Sequence, residues 1–374
     1  MDRCLIYSNE VEHIGFTGPG TIDGQGHLFG KNSTPRPIMM RFLNCRHIKL
    51  SGLKLRRPAA WSTAFILCDT VYADGLDIES RANDNGDGLD FDSCQNVFVA
   101  NCKFDTSDDS ICLQNSEKDH ACRNITITNC IMTSKWAAVR IGLLSSGNFE
   151  DITISNCIFH DITCSGFKIQ STEGGQIRNM LFQNIVMRNV TRPIFLTLNH
   201  FHIGKDAPSD PVRTGGISNL SFDHIRATND SSTDFDPASG IVIMGTPGFK
   251  IKDIQINNYS FTATGGGNKV QGSNRNVTEL IDERPEFFVF NELPSYGIYA
   301  RHVDGLSMHN LKLDFLEKDD RPAIVLDDVE NAELSIIRST VSNEAEAMIR
   351  LYETRDIHIH NCRSLNGKGN LCYI

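Results

Sequence analysis

The sequence predicts an all-β chain wound as one right-handed parallel β-helix, with a short or missing N-terminal cap. Three observations carry that expectation. A short apolar–polar pattern recurs along all 374 residues, its spacing from Ile48 to Met180 stays between 23 and 28, and Asn and Cys hold fixed places within it. A strand with one apolar face cannot bury it alone, so a repeat of this length implies coils stacked on their neighbours.

The pattern is plainest in His47-Ile48-Lys49-Leu50-Ser51-Gly52, Asn96-Val97-Phe98-Val99-Ala100-Asn101 and Asn124-Ile125-Thr126-Ile127-Thr128-Asn129. It returns at Asp151–Asn156, Asn179–Asn184, Asp253–Asn258 and Asp356–Asn361, with weaker copies at Ile14, Val71, Leu220, Leu306 and Ala332. Counted between first apolar positions, the steps from Ile48 are 23, 26, 28, 27 and 28, then 40, 34 and 52, then 26 and 25. Each copy alternates with period two and is bounded by Gly, Asn or Asp, which is the signature of a strand between turns. Leucine-rich repeats have a similar period, but their leucine spacing and helical half are absent. Coils of a β-helix stack about 4.8 Å apart.

Two ladders fix the phase. Asn stands four positions after the anchor at 101, 129, 156, 184, 258, 310 and 361, where side chains hydrogen-bonding from coil to coil suit tight turns. Cys45, Cys68, Cys94 and Cys122 lie three before their anchors, and Cys102, Cys130, Cys157 and Cys362 lie five after. No CxxC pair occurs, so the twelve cysteines read as reduced, buried structural thiols rather than metal ligands. Disulfides between adjacent coils stay open as an alternative, because the coil spacing is close to the usual Cα separation.

One repeat from end to end argues for a single domain over residues 1–374, interrupted by loop insertions near 199–216, 229–240 and 262–295. A net charge of −10 and a pI near 5.6 argue against nucleic acid or an anionic membrane as partner. No apolar run is long enough to span a bilayer. The N-terminus lacks a charged-then-apolar leader, which leaves two readings: a cytoplasmic protein, or a secreted or periplasmic one whose leader has been removed. Because an uncapped β-helix exposes unpaired strand edges, a second copy of the chain is expected to cover the N-terminal end.

The chemistry concentrates in Asn85-Gly86-Asp87-Gly88 and Asp108-Asp109, two glycine- and serine-rich bends about one repeat apart. Carboxylates gathered without matching cations raise one another's pKa, so they are seldom a stability device. Two carboxyls, one donating a proton and one activating water, are what glycoside hydrolysis requires. Turn-shaping accounts for Asp84, Asp90, Asp92 and Asp105 better than catalysis does. For Asp87 with Asp108 and Asp109, whose offsets from their anchors place them on adjacent coils, it does not.

Three stretches together resemble the polygalacturonase family of glycoside hydrolases, family 28. They are Gly18-Pro19-Gly20-Thr21-Ile22-Asp23-Gly24, the pair of acidic motifs Asn85-Gly86-Asp87 and Asp108-Asp109, and Pro37–Cys45 with Trp61. The resemblance covers residues 1–200 well and implies an enzyme of the pectin-lyase-like β-helix class that hydrolyses O-glycosyl bonds with inversion. It implies Asp108 as general acid, Asp87 and Asp109 as the pair that activates water, Asn85 as a substrate contact, and no cofactor or metal. The family's Gly-His-Gly motif is missing. Ala137 takes the histidine's place beside Trp136, and Arg140 follows three residues on. The family's Arg-Ile-Lys, which holds a galacturonate carboxylate, is Lys168-Ile169-Gln170 here, and lysine lacks the planar fork of arginine. Arg140, Lys168 and Gln170 are therefore expected either to bind an anionic sugar or to orient and neutralise Asp108 and Asp109. Trp136 reads equally as a sugar platform or a core filler, Trp61 as core. His200 reads as a substrate contact from the first insertion, since His200 and His202 have no third metal ligand at suitable spacing.

The expected substrate is carbohydrate, a pectin-like or other decorated polysaccharide or oligosaccharide. Two other readings stand beside hydrolysis: a carbohydrate-binding β-helix without catalysis, and a β-helix lyase or epimerase.

Overall fold

The computed structural model describes residues 3–30, 35–202, 214–230, 237–279 and 281–373. Strands run from Cys4 to Tyr373, broken by one four-residue α-helix and two 3-10 turns. Every ladder pairing is parallel and joins a strand to its counterpart in the next coil, giving three parallel sheets that share one interior. Parallel crossovers of this kind are almost always right-handed.

The second sheet shows how closely the repeat dictates register. All twelve anchor positions pair in one unbroken row: Ile14, Ile48, Val71, Val97, Ile125, Ile152, Met180, Leu220, Ile254, Leu306, Ala332 and Ile357. Inward residues of the three sheets fill the bore, including a stack of Phe42, Phe65 and Phe91 with centroids 5.1 and 4.9 Å apart. The Asn ladder occupies the left-handed turn conformation throughout, with φ between 50° and 58°. Asn184 donates to Asn156 at 3.2 Å and Asn310 to Asn258 at 2.8 Å, so each coil satisfies the amide of the next. A second ladder, one position before the anchors, does the same through Asn124 and Asn96 at 3.0 Å. None of the twelve cysteines is bridged, and nine are buried. Trp61, expected in the core, is half-buried and stands outside the apolar cluster.

The outer face of the first sheet positions the site. One outward row runs Arg41, Ala64, Asp90, Cys112, Arg140, Lys168, Phe195, Val242, Tyr299, Val325 and Arg350, while the residues between them face the core. Polar and charged at one end, the row is apolar from Phe195 to Val325 and ends in Arg350. That apolar half is covered by the longest insertion, which leaves the third sheet after Ala263 and rejoins the first at Ile298. Val277, Phe287, Phe290 and Leu293 of the insertion pack on Phe195, Val242, Tyr299 and Val325 as a second, smaller core. The glycine run 265–267 is pinned rather than loose: Gly267 donates to Asp319 at 3.1 Å, and Asn268 caps the short helix Lys269–Gly272. Parts of the two shorter insertions, at 203–213 and 231–236, lie outside the described residues.

Candidate active site

Asp87 lies in the turn between the strands Asp77–Ser80 and Leu89–Asp92, and Asp108 and Asp109 lie in the equivalent turn one coil on. Backbone bonds hold the two turns together: Gly88 donates to the Asp109 carbonyl at 3.0 Å, and Asp108 to the Gly86 carbonyl at 3.4 Å. Glycine is required at 86, where a Cβ would come within 2.1 Å of the Ser80 carbonyl oxygen. Asn85 reaches across to the Asp108 carboxylate at 3.3 Å and is itself held by Arg36 at 2.8 Å.

Asp90 joins these three. It was expected to shape a turn, yet it sits on a strand in the outward row, with both carboxylate oxygens buried and without hydrogen-bond partners. By contrast Asp92 and Asp105 are structural, accepting from Ser116 at 2.8 Å and pairing with Arg81. Asp87, Asp90 and Asp109 are nearly closed to solvent, and Asp108 is the most open of the four.

Burial, and after it the neighbouring carboxylates, hold Asp87 and Asp90 well above the usual carboxylate range. Burial also raises Asp109, to about 7, against the pull of Arg140. Asp108 is raised by burial too, opposed by Arg140, Lys168 and the Asn85 hydrogen bond. Groups sharing protons in this way titrate as a set.

The cations are placed by the outward row. Arg140 donates to Asp109 at 3.3 Å and to Gln170 Oε1 at 3.1 Å. Arg140 and Lys168 share the strand row of Asp90 and Cys112, whereas Asp87 belongs to the turn. Lys168 is wholly buried and donates to Glu286, whose other oxygen lies 3.9 Å from Arg140. Gln170, also closed to solvent, donates to the Pro285 carbonyl at 2.6 Å. Glu286 comes from the long insertion, 118 residues from Lys168, and no spacing or motif in the sequence points to it. Burial would raise its carboxyl, but Lys168 and Arg140 outweigh that and leave it below the ordinary value.

Trp136 is half-buried beside this network, with the Lys168 ammonium 4.6 Å from its ring centroid and Phe287 at 6.1 Å. Ala137 is fully buried. His200 stands apart from the acids: its ring meets Thr214 and the edge of Phe249. His202 pairs with Glu173 at 3.0 Å rather than with His200. Among the described residues, one set of metal-type donors converges: Asp87, Asp109 and Cys112, within 4.8 Å of one another. The set suits protons better than a cation, because burial keeps the Cys112 thiol well above its ordinary value and Arg140 already answers Asp109.

The profile of the glycosyl hydrolases family 28 matches residues 2–283, well over half of the sequence. The chain belongs to that family. Family members it resembles include a polygalacturonase of Persea americana, 24% identical over 303 residues, covering 76% of this chain and 62% of that protein. A polygalacturonase of Malus domestica is 26% identical over 249 residues, covering 62% and 52%. The chain thus spans between half and two thirds of these relatives' length. Among solved structures, a family 28 exopolygalacturonase of Yersinia enterocolitica superposes with a TM-score of 0.62 at 19% identity, over 85% of this chain and 60% of that one. An exopolygalacturonase of Thermotoga maritima gives 0.58 at 16% identity, over 82% and 71%. At such identities the superpositions speak for the parallel β-helix alone.

Proposed function

We propose that this chain is an inverting glycoside hydrolase acting on a pectin-like or otherwise decorated glycan, with Asp108 as general acid and Asp87 and Asp109 activating water. The observation that supports it most is the convergence of Asp87, Asp108 and Asp109 from two adjacent turns onto one face, beside Arg140 and Lys168. Asp108 is the most open of the acids and is raised by burial, which suits a group that must hold a proton and give it to the leaving oxygen. The glycosidic C–O bond breaks as that proton arrives. Water adds to the anomeric carbon from the opposite face and passes its proton to the ionised member of the Asp87–Asp109 pair.

Elimination is the weaker reading on a specific ground. A lyase using Lys168 as base needs a free amine facing substrate, and the Lys168 ammonium is buried against Glu286.

Asp108→Asn tests the assignment. Reducing-sugar release across a panel of pectic and neutral oligosaccharides should fall by about three orders of magnitude or more, with the circular dichroism spectrum unchanged. Proton NMR of the first product formed should show the inverted anomer. Full activity in Asp108→Asn, or unsaturated products absorbing in the ultraviolet, would refute it.

A further inference from the structure

We propose that Glu286 is a built-in carboxylate that fills the anion seat beside the catalytic acids, so that the sugar bound there is uncharged. The inference rests on the hydrolase reading above and names the substrate class of that same site.

Both cations nearest the acids are already answered from within the chain. Lys168, wholly buried, donates to one Glu286 oxygen, and Arg140 lies 3.9 Å from the other. Arg140 also donates to Asp109 through one terminal nitrogen and to Gln170 through the other, while its Nε is buried without a partner, and the Gln170 amide donates to the Pro285 carbonyl. The seat is held from behind as well. Phe287, the next residue, packs against Trp136 and lies under the Arg192 guanidinium at 4.1 Å, as part of the second core. Glu286 is therefore carried by a packed segment, not by a loose loop tip.

Charge counting points the same way. Asp87, Asp90, Asp108, Asp109 and Glu286 make five carboxyls against Arg140, Lys168 and Arg284, whose Nε donates to Glu286 at 3.0 Å. With all five ionised the set is net negative, and with two protonated it is neutral, so it offers an incoming anion no spare positive charge. A uronate arriving here would meet no net positive field and would have to displace a carboxylate already held by two buried cations. An uncharged sugar needs no such exchange. A methyl-esterified uronate meets the same condition, because esterification removes the charge and keeps the ring.

That last comparison gives the experiment. The kcat/KM of the wild-type enzyme is measured on paired galacturonate oligosaccharides, free acid against methyl ester, alongside neutral oligosaccharides. Calorimetric titration of the Asp108→Asn enzyme with the same pairs reads binding without turnover. The expected result is a preference of about 100-fold or more for the uncharged member of each pair. Glu286→Gln, which keeps the shape and removes the charge, should reduce that preference at least tenfold, chiefly through a lower KM for the free acid. Equal use of free acid and ester by the wild type overturns the proposal, as does a preference unchanged in Glu286→Gln. If Glu286→Gln fails to fold, the wild-type ratio decides alone. Binding with the expected preference but no hydrolysis of any oligosaccharide would leave this proposal standing and remove the hydrolase reading. Absence of both binding and turnover would remove both.

Discussion

Replacing Asp109 by Asn should make the protein more stable at neutral pH while abolishing the proposed chemistry. The Asp109 carboxyl titrates near 3.8 when unfolded and near 7 when folded. Between those values the folded state holds a proton that the unfolded state has lost, so stability falls as pH rises, by ~1.4 kcal/mol per unit. The cost is absent below about pH 4 and complete above about pH 7, reaching ~4 kcal/mol as an upper limit. Asparagine removes it. A stabilisation of up to ~4 kcal/mol at pH 7.5, shrinking to ~1 kcal/mol at pH 4.5, is expected. Urea unfolding followed by the fluorescence of Trp61 and Trp136 at three pH values measures it. The difference between variant and wild type is the quantity to read, because twelve histidines also titrate in this range. A difference that stays flat with pH, or grows on acidification, would refute the idea that burial holds this carboxyl protonated.

Two further predictions concern the scaffold. Phe91→Ala removes the last ring of the stack at 4.9 Å from Phe65 and should cost about 3–5 kcal/mol in urea unfolding, because neighbouring coils cannot close the gap without leaving register. Asn156 holds φ 56° and accepts from Asn184, so Asn156→Ala should cost about 1–2 kcal/mol, whereas Asn156→Gly should recover most of the conformational part.

Much of the fold was legible because a β-helix repeats its instructions. Anchor positions read from the sequence pair one to one in the second sheet, even across steps of 40, 34 and 52 residues, since insertions leave from turns without disturbing the strands. The acidic turns were legible for the same reason. Asp90 was missed because Asp near Gly usually shapes a turn. Only strand register, which puts it in line with Cys112 and Arg140, shows that it faces the site. Glu286 was not legible at all. It belongs to an insertion that follows no repeat, and its position depends on how Phe287, Phe290 and Leu293 find the apolar half of the outward row.

That insertion also alters how the molecule responds to load. In a plain solenoid each coil touches only its neighbours, and unfolding can peel from either end. Here one segment bears on the coil of Trp136 through Phe287 and on the coil of Arg350 through Asn274, whose carbonyl Arg350 reaches at 2.9 Å. Those coils are six steps apart, roughly 29 Å at the usual spacing. The segment acts as a strut lashed along a stack of rings. Intervening coils are obliged to open together, so the downstream part of the stack should behave as one cooperative block, with Glu286 at the end of the strut that meets the acids.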